Sequence, residues 1–129
     1  MKSKRILLMY LIIICISSSR IEAQENVEKS VFVLVHGTFQ WGGQWNLLKS
    51  DLVSKGYEVY NPTLTGLGEK NHLLSKETGI STHINDIVNY IEWNNLDNII
   101  MVAHSYGGPV ISGVVDKIGT KIKHQVYID

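Results

Sequence analysis

The chain has 129 residues, which is enough for at most one small domain. Its twelve lysines and arginines balance twelve aspartates and glutamates, and this neutral charge excludes nucleic-acid binding driven by a basic surface. The single cysteine, Cys15, excludes an internal disulfide framework and a cysteine-based zinc site.

Residues 1–23 have the pattern of a secretory signal peptide. Three basic residues precede an apolar run over residues 6–16, and a cleavage site ends at Ala23. The run is shorter than the roughly 20 apolar residues that a bilayer span needs. We expect a secreted or periplasmic protein with no stable membrane anchor after cleavage; an uncleaved N-terminal anchor is the alternative.

Residues 24–30 are polar and predict a flexible lead-in to a domain over residues 31–129. The chain after residue 23 keeps eight lysines against eleven acidic residues, and it contains no arginine and no cysteine. Freedom from thiols fits an oxidising compartment.

The first elements alternate between strand and helix. Val31–Val35 is a continuous β-rich apolar run, which is typical of a strand that is buried on both faces. Helical spacing predicts a helix over residues 44–55, and Gly56 supplies its stop. A second strand is predicted over residues 57–60, and a long loop follows it over residues 63–81.

The alternation continues to the last residue. Thr82 is the predicted N-cap of a helix whose apolar face is Ile84, Ile87, Val88 and Ile91. A third strand is predicted over residues 98–103, a helix over 107–118, and the start of a fourth strand at 126–128. Strands that alternate with helices predict parallel βαβ units and therefore an α/β fold.

A small-residue motif lies between the third strand and the helix after it. Ala103 and Gly107 flank Ser105 at the spacing of a nucleophile elbow, a tight turn that needs small residues where strand and helix backbones approach. Such a turn exposes the Ser105 hydroxyl and directs the Tyr106 backbone N–H at the same point, where a helix N-terminus favours negative charge. An ordinary strand-to-helix turn is the alternative.

A second candidate loop follows the first strand. Gly37 lets the backbone turn so that the N–H of Thr38 or Phe39 faces the nucleophile as a second oxyanion donor. Phe39 and Trp41 are candidate pocket residues, whereas Trp45 is predicted to pack its own helix. A common loop of no function is the alternative.

The remaining polar residues predict little chemistry. His72 and His83 are expected to face solvent or to cap, and His104 is expected to pack or to form a hydrogen bond near the elbow rather than to act as the base. The histidines have no metal-ligand spacing, so we expect no histidine-based metal site. Four acidic residues are predicted to be ordinary charges on helix faces, namely Asp86, Glu92, Asp97 and Asp116.

With these motifs the chain resembles the α/β-hydrolase superfamily, and most of all the esterases related to plant methylesterases and hydroxynitrile lyases. The matching stretches are 32–45, 61–74, 79–93, 99–114 and 126–129. The resemblance implies a doubly wound, mostly parallel sheet with the site at its carboxyl edge. It implies Ser105 as nucleophile, the Thr38 and Tyr106 amides as oxyanion hole, and a carboxylesterase that acts on small esters through an acyl-serine. It also implies neither a cofactor nor a metal.

The chain also departs from this family, whose members are longer and place the triad acid and base after the strand that begins here. His124 is expected at the wrong end of that strand and Asp129 one strand too early, so the resemblance carries over no acid or base. It implies a sheet truncated after the strand that follows the nucleophile helix. The alternatives are a catalytically dead truncated hydrolase that acts as a binding module or as half of a complemented pair, and a lyase, against which Gly37 argues.

Overall fold

The computed structural model describes residues 30–129, so the predicted signal peptide and nearly all of the lead-in lie outside the described residues. Four strands form one sheet in the order β2-β1-β3-β4, and every neighbouring pair is parallel. The strands are β1 (Val31–Val35), β2 (Glu58–Tyr60), β3 (Ile99–His104) and β4 (Ile122–Ile128). The α/β class and the parallel sheet are therefore confirmed.

Three α-helices connect the strands: α1 (Asn46–Ser54), α2 (Ile80–Trp93) and α3 (Gly107–Ile118). Short 3₁₀ helices lie at Gly42–Trp45, Gly68–Leu73 and Gly119–Lys121. Within residues 30–129, none of the helices has both the length and the apolar character that crossing a bilayer requires.

The two faces of the sheet are covered by different helices. In β1, Val33 and Val35 belong to a buried cluster that contains the apolar faces of α2 and α3. Leu34 points to the other face, where Trp45 and α1 cover the sheet. Alternation along a strand explains this division, because successive side chains point to opposite faces. The doubly wound architecture is confirmed, and so is the prediction that Trp45 is a packing residue.

The structure corrects several predicted boundaries. Helix α2 begins at Ile80 with Gly79 as N-cap, so the prediction that Thr82 is the N-cap is wrong. The Thr82 hydroxyl instead lies at the third helical position and accepts a hydrogen bond from the Gly79 N–H at 3.3 Å. Strand β4 begins at Ile122, four residues before the predicted start at residue 126. Six of its seven residues are exposed and none is buried, and its first residues form no apolar run that would predict the earlier start.

The strand order places a topological switch point between β1 and β3. The chain leaves β1 toward β2 on one side and later leaves β3 toward β4 on the other. The register aligns Val35 of β1 with Ala103 of β3, so the loops after both strands emerge side by side. Crevices at such points are where ligands bind in open parallel sheets.

Candidate active site

Ser105 occupies the turn between β3 and α3, and its backbone has a φ of 50°. A non-glycine residue in this left-handed region is strained by roughly 1–2 kcal/mol. Two hydrogen bonds hold the strained residue: its N–H donates to the Ile128 carbonyl at 2.9 Å, and its carbonyl accepts from the Gly108 N–H at 2.8 Å. The side chain is exposed. The local geometry is that of a nucleophile elbow.

Glycines are required where the two strand-end loops touch. A Cβ atom on Gly107 would lie 2.7 Å from the Val35 carbonyl oxygen, and one on Gly37 would lie 3.0 Å from Nδ1 of His104. The first of these neighbours is backbone of the central strand, which cannot move aside as a flexible side chain does. Gly107 therefore allows α3 to begin against the end of β1, and Gly37 allows its loop to approach the elbow.

The two candidate oxyanion donors come from these two loops. Thr38 follows β1 and Tyr106 follows Ser105, and the parallel register brings both loops to one edge of the sheet. Among residues 30–129, neither backbone N–H has a hydrogen-bond acceptor in the structure. Tyr106 is also the residue immediately before α3, so its amide lies at the positive end of that helix.

A cavity of about 380 Å³ opens beside Ser105, between the start of α3 and the end of β4. Its lining consists of Ala103, Ser105, Gly108, Pro109, Ser112, Tyr127, Ile128 and Asp129. Neither Phe39 nor Trp41 lies on it. The Phe39 side chain is 92% exposed, while Trp41 packs against the backbones of Gly43 and Gly68. A role for these two aromatic residues in a substrate pocket stays a prediction.

Gln40, for which the sequence pattern predicts no role, links the loop after β1 to the elbow. Its Oε1 accepts hydrogen bonds from the Gly37 N–H at 2.9 Å and from Nδ1 of His104 at 3.2 Å. The hydrogen bond predicted for His104 near the elbow is therefore confirmed. Because Nδ1 is bonded to Gln40, the His104 imidazole cannot use both of its nitrogens for another role.

His36 is a fully buried histidine at the end of β1. Its Nε2 accepts a hydrogen bond from the Leu64 N–H at 3.1 Å, so Nδ1 carries the proton and donates to the Gly37 carbonyl at 2.9 Å. Burial lowers the pKa of the His36 imidazole below its ordinary value, although the bond to Gly37 opposes the shift. The ring is neutral in this arrangement.

His83 is also buried, which makes the prediction of a solvent-facing or capping residue wrong. Its Nε2 lies 2.9 Å from the Thr65 carbonyl oxygen and its Nδ1 lies 2.8 Å from the Tyr106 hydroxyl. The two rings also meet edge to face. Burial raises the pKa of the Tyr106 phenol, which therefore stays protonated near neutral pH. His72 is exposed, as predicted.

Asp86 is not an ordinary helix-face charge, and that prediction is wrong as well. Its carboxylate accepts hydrogen bonds from the Thr65 N–H at 2.6 Å and from the Thr65 hydroxyl at 2.9 Å. The carboxylate thereby ties the long loop after β2 to helix α2. Asp116, by contrast, is exposed, as a surface charge should be.

Among the described residues, His124 is not placed as a triad base for Ser105. His124 pairs with Ile100 in the amino-terminal half of β4, whereas Ile128 pairs with His104 beside the elbow. Four residues of strand separate the two positions by roughly 13 Å, which rules out His124 as a base. Asp129 lies at the correct edge and on the cavity. Within residues 30–129, no cluster of histidine, cysteine or acidic side chains has the arrangement of a metal site.

Comparison with known proteins agrees with this geometry. The model of the Alpha/beta hydrolase family matches residues 32–129. The Carbendazim hydrolyzing esterase of Nocardioides sp. (strain SG-4G) is 44% identical over 98 residues, which cover 76% of this chain and 40% of that protein. Methylesterase 8 of Arabidopsis thaliana is 26% identical over 105 residues, covering 81% of this chain and 39% of that protein.

A solved structure extends the comparison to three dimensions. An extracellular alpha/beta-hydrolase from a Paenibacillus species superimposes with a TM-score of 0.70 at 31% identity, over 76% of this chain and 39% of that one. The chain thus spans about two fifths of the length of the relatives that it matches.

Proposed function

The chain belongs to the α/β hydrolase family, and from that premise we propose that it carries the nucleophile and oxyanion hole of a serine carboxylesterase that acts on small esters. The observation that carries the proposal is Ser105, exposed and held at a φ of 50° at the switch point of the sheet. Relatives named as an esterase and as a methylesterase support the reaction class.

The proposed reaction has two stages. Ser105 Oγ attacks the ester carbonyl carbon, the hydroxyl proton passes to a general base, and the alcohol leaves with a proton returned by that base. Water then attacks the acyl-serine and gives its proton to the base, which returns a proton to Ser105 Oγ as the acid is released. The Thr38 and Tyr106 amides would stabilise the oxyanion at each tetrahedral stage, and one such donor is typically worth about 3–4 kcal/mol.

Among residues 30–129, no histidine is placed as a general base for Ser105. We therefore also propose that residues 31–129 form the N-terminal half of a hydrolase domain, with the base and acid supplied by residues outside 30–129. The intact mass of the native protein tests this point: a mass above that of the encoded 129 residues supports it, and a mass at or below that value contradicts it.

The proposal includes export. The pattern over residues 1–23 supports cleavage after Ala23, and a relative of the same fold carries the description extracellular. N-terminal sequencing of the native protein should begin at Gln24, and a chain that begins at Met1 in the cell would contradict this. Recovery of the protein from the medium would indicate secretion, and recovery from the periplasm would indicate a periplasmic location.

Hydrolysis of p-nitrophenyl acetate by protein expressed from the complete gene tests the activity. Ser105→Ala should lower kcat at least about 10³-fold, because the nucleophile is lost. Ser112→Ala is the matched control: Ser112 lines the same cavity, yet its hydroxyl only bonds to the Gly108 carbonyl and the Tyr127 hydroxyl. Full activity in Ser105→Ala, or no hydrolysis of any small ester by the wild type, would contradict the proposal and favour a binding module.

A further inference from the structure

The loops that carry the two candidate oxyanion amides are joined by a third segment of the chain. This bridging segment, residues 63–67, lies directly after β2. Its Leu64 N–H donates to Nε2 of His36, and its Thr65 carbonyl lies 2.9 Å from Nε2 of His83. Two buried histidines therefore hold two consecutive residues of one segment.

Each histidine is connected to one of the two residues that carry the candidate oxyanion amides, through the chain or through a contact. His36 directly precedes Gly37 and Thr38, so its position defines where that loop begins. His83 contacts Tyr106 through its other nitrogen, with Nδ1 at 2.8 Å from the phenol oxygen. The loops of Thr38 and Tyr106 are thus connected by hydrogen bonds through the bridging segment, in addition to the pairing of their strands in the sheet.

The donor and acceptor roles of His83 follow from its partners. A carbonyl oxygen only accepts, so Nε2 must carry the proton that is donated to Thr65. In the neutral ring, Nδ1 is then an acceptor, and the Tyr106 hydroxyl donates to it. Every polar atom of the His83 ring is used, which fixes the ring on both sides and leaves it no second orientation with the same bonds.

Helix α2 provides the rigid support for this arrangement. His83 lies on the same helix face as Ile87 and Ile91, which are both fully buried in the larger core cluster. One turn away, Asp86 binds the N–H and the hydroxyl of Thr65. The bridging segment is therefore held by two side chains of one packed helix.

We propose that His83 is a positioning residue of the candidate active site, which fixes the Tyr106 oxyanion donor relative to Ser105 and Thr38 by binding the Tyr106 phenol and the Thr65 carbonyl at once. The inference rests on the proposed function and adds a residue to it. His83 does not contact the reacting atoms; it acts through Tyr106. Preorganised donors stabilise the transition state more than the ground state, so losing the position should lower kcat and leave KM unchanged.

The variants separate the two bonds of His83. His83→Leu removes both, His83→Asn keeps an acceptor near the Nδ1 position for Tyr106, and His83→Gln keeps a donor near the Nε2 position for Thr65. Tyr106→Phe removes the phenol oxygen alone and leaves the backbone amide in place. Tyr90→Phe and His72→Leu are matched controls, because Tyr90 lies far along α2 from His83 and His72 is exposed.

Ester hydrolysis is measured with protein from the complete gene. His83→Leu and Tyr106→Phe should each lower kcat about 10- to 100-fold with KM within twofold, since sub-ångström misplacement has effects of this size. The double variant should be no slower than the slower single variant, because both remove one interaction. His83→Asn should retain more kcat than His83→Gln, and both controls should retain wild-type kcat.

Labelling of Ser105 by a fluorophosphonate, detected by intact mass, distinguishes a failure of the positioning role from a failure of the proposed function. If wild-type Ser105 is labelled and ester is hydrolysed, but Tyr106→Phe and His83→Leu keep wild-type kcat, the positioning role is wrong and the proposed function stands. If kcat falls in Tyr106→Phe and His83→Leu but His83→Asn is as slow as His83→Leu, the bond between the two residues is not the cause, and the inference is again wrong. If wild-type Ser105 is not labelled and no ester is hydrolysed, the proposed function itself fails.

Discussion

Adding one methyl group at Gly107 tests the contact between the elbow helix and the central strand. The Cβ of Gly107→Ala would lie 2.7 Å from the Val35 carbonyl oxygen and 3.1 Å from that of His36. An ordinary contact begins at 3.4 Å, so α3 and the end of β1 would have to separate by about 0.7 Å. Both neighbours are backbone atoms, and a rotamer change cannot relieve the clash.

The expected cost follows from this required shift. Overpacking in a well-packed region typically destabilises a protein by about 1–3 kcal/mol, and Gly107 is buried between the two main elements of the site. The same separation would move the loop of Thr38 away from the loop of Tyr106. Because misplacement by an ångström can lower a rate about 100-fold, we expect a loss of at least about tenfold in kcat.

Urea unfolding and ester hydrolysis on the same preparation measure both effects. Gly119→Ala is the control, because a Cβ there meets only Val115 at 3.6 Å and φ is an ordinary helical −54°. That change should be neutral or stabilising by up to about 1 kcal/mol. If Gly107→Ala unfolds at the wild-type urea concentration and keeps wild-type kcat, the close approach that we describe does not constrain the elbow.

Two further predictions concern the polar groups that the sequence did not reveal. Asp86→Ala should destabilise the protein by about 1–3 kcal/mol in urea, since it leaves the Thr65 N–H and hydroxyl unpaired, whereas exposed Asp116→Ala should change stability by less than about 0.5 kcal/mol. The folded-state pKa of His36 is lowered by burial from 6.5, so the unfolded chain binds more protons between that lower value and 6.5. Stability should therefore be full above pH 6.5, fall as pH decreases through this window, and level off below the folded pKa. Glu69, Lys70 and His83 are the charged or titratable neighbours that modify the shift. His36→Gln should lack this component of the pH profile, and an identical profile in that variant would refute the assignment.

Elements with strong periodicity were predictable from the sequence. Val31–Val35 reads as a strand because all five residues are apolar and β-rich, and the structure buries four of them. The face of α2 was predicted from residues spaced by three and four, and Ile87, Val88 and Ile91 are buried. The parallel order and the position of the elbow then follow from the alternation of strand and helix.

The polar contacts were not predictable in the same way, because they join residues that lie far apart in the chain. Gln40 meets His104 across 64 positions, and His36 meets Leu64 across 28. For His83 a signal was present: it precedes Ile87 by four residues and Ile91 by eight, which places it on the buried stripe of α2. His83 was predicted to lie at the surface because it is polar. Burying a histidine costs little free energy, however, when both of its ring nitrogens have hydrogen-bond partners.

Hydrogen bonds, rather than ion pairs, connect the loops at the site edge of the sheet. Residues 30–129 contain two ion pairs, Lys55 with Asp51 and Lys121 with Asp97. The first precedes β2 in the chain, and in the second Lys121 precedes β4 and Asp97 precedes β3. Both pairs therefore lie toward the opposite edge of the sheet. At the site edge, Gln40, His36 and His83 each form two hydrogen bonds. The Asp86 carboxylate accepts two more from Thr65. Oriented donors at this edge can be set for the charge that develops only in the reaction. The geometry of this edge should therefore depend on individual side chains and only weakly on ionic strength.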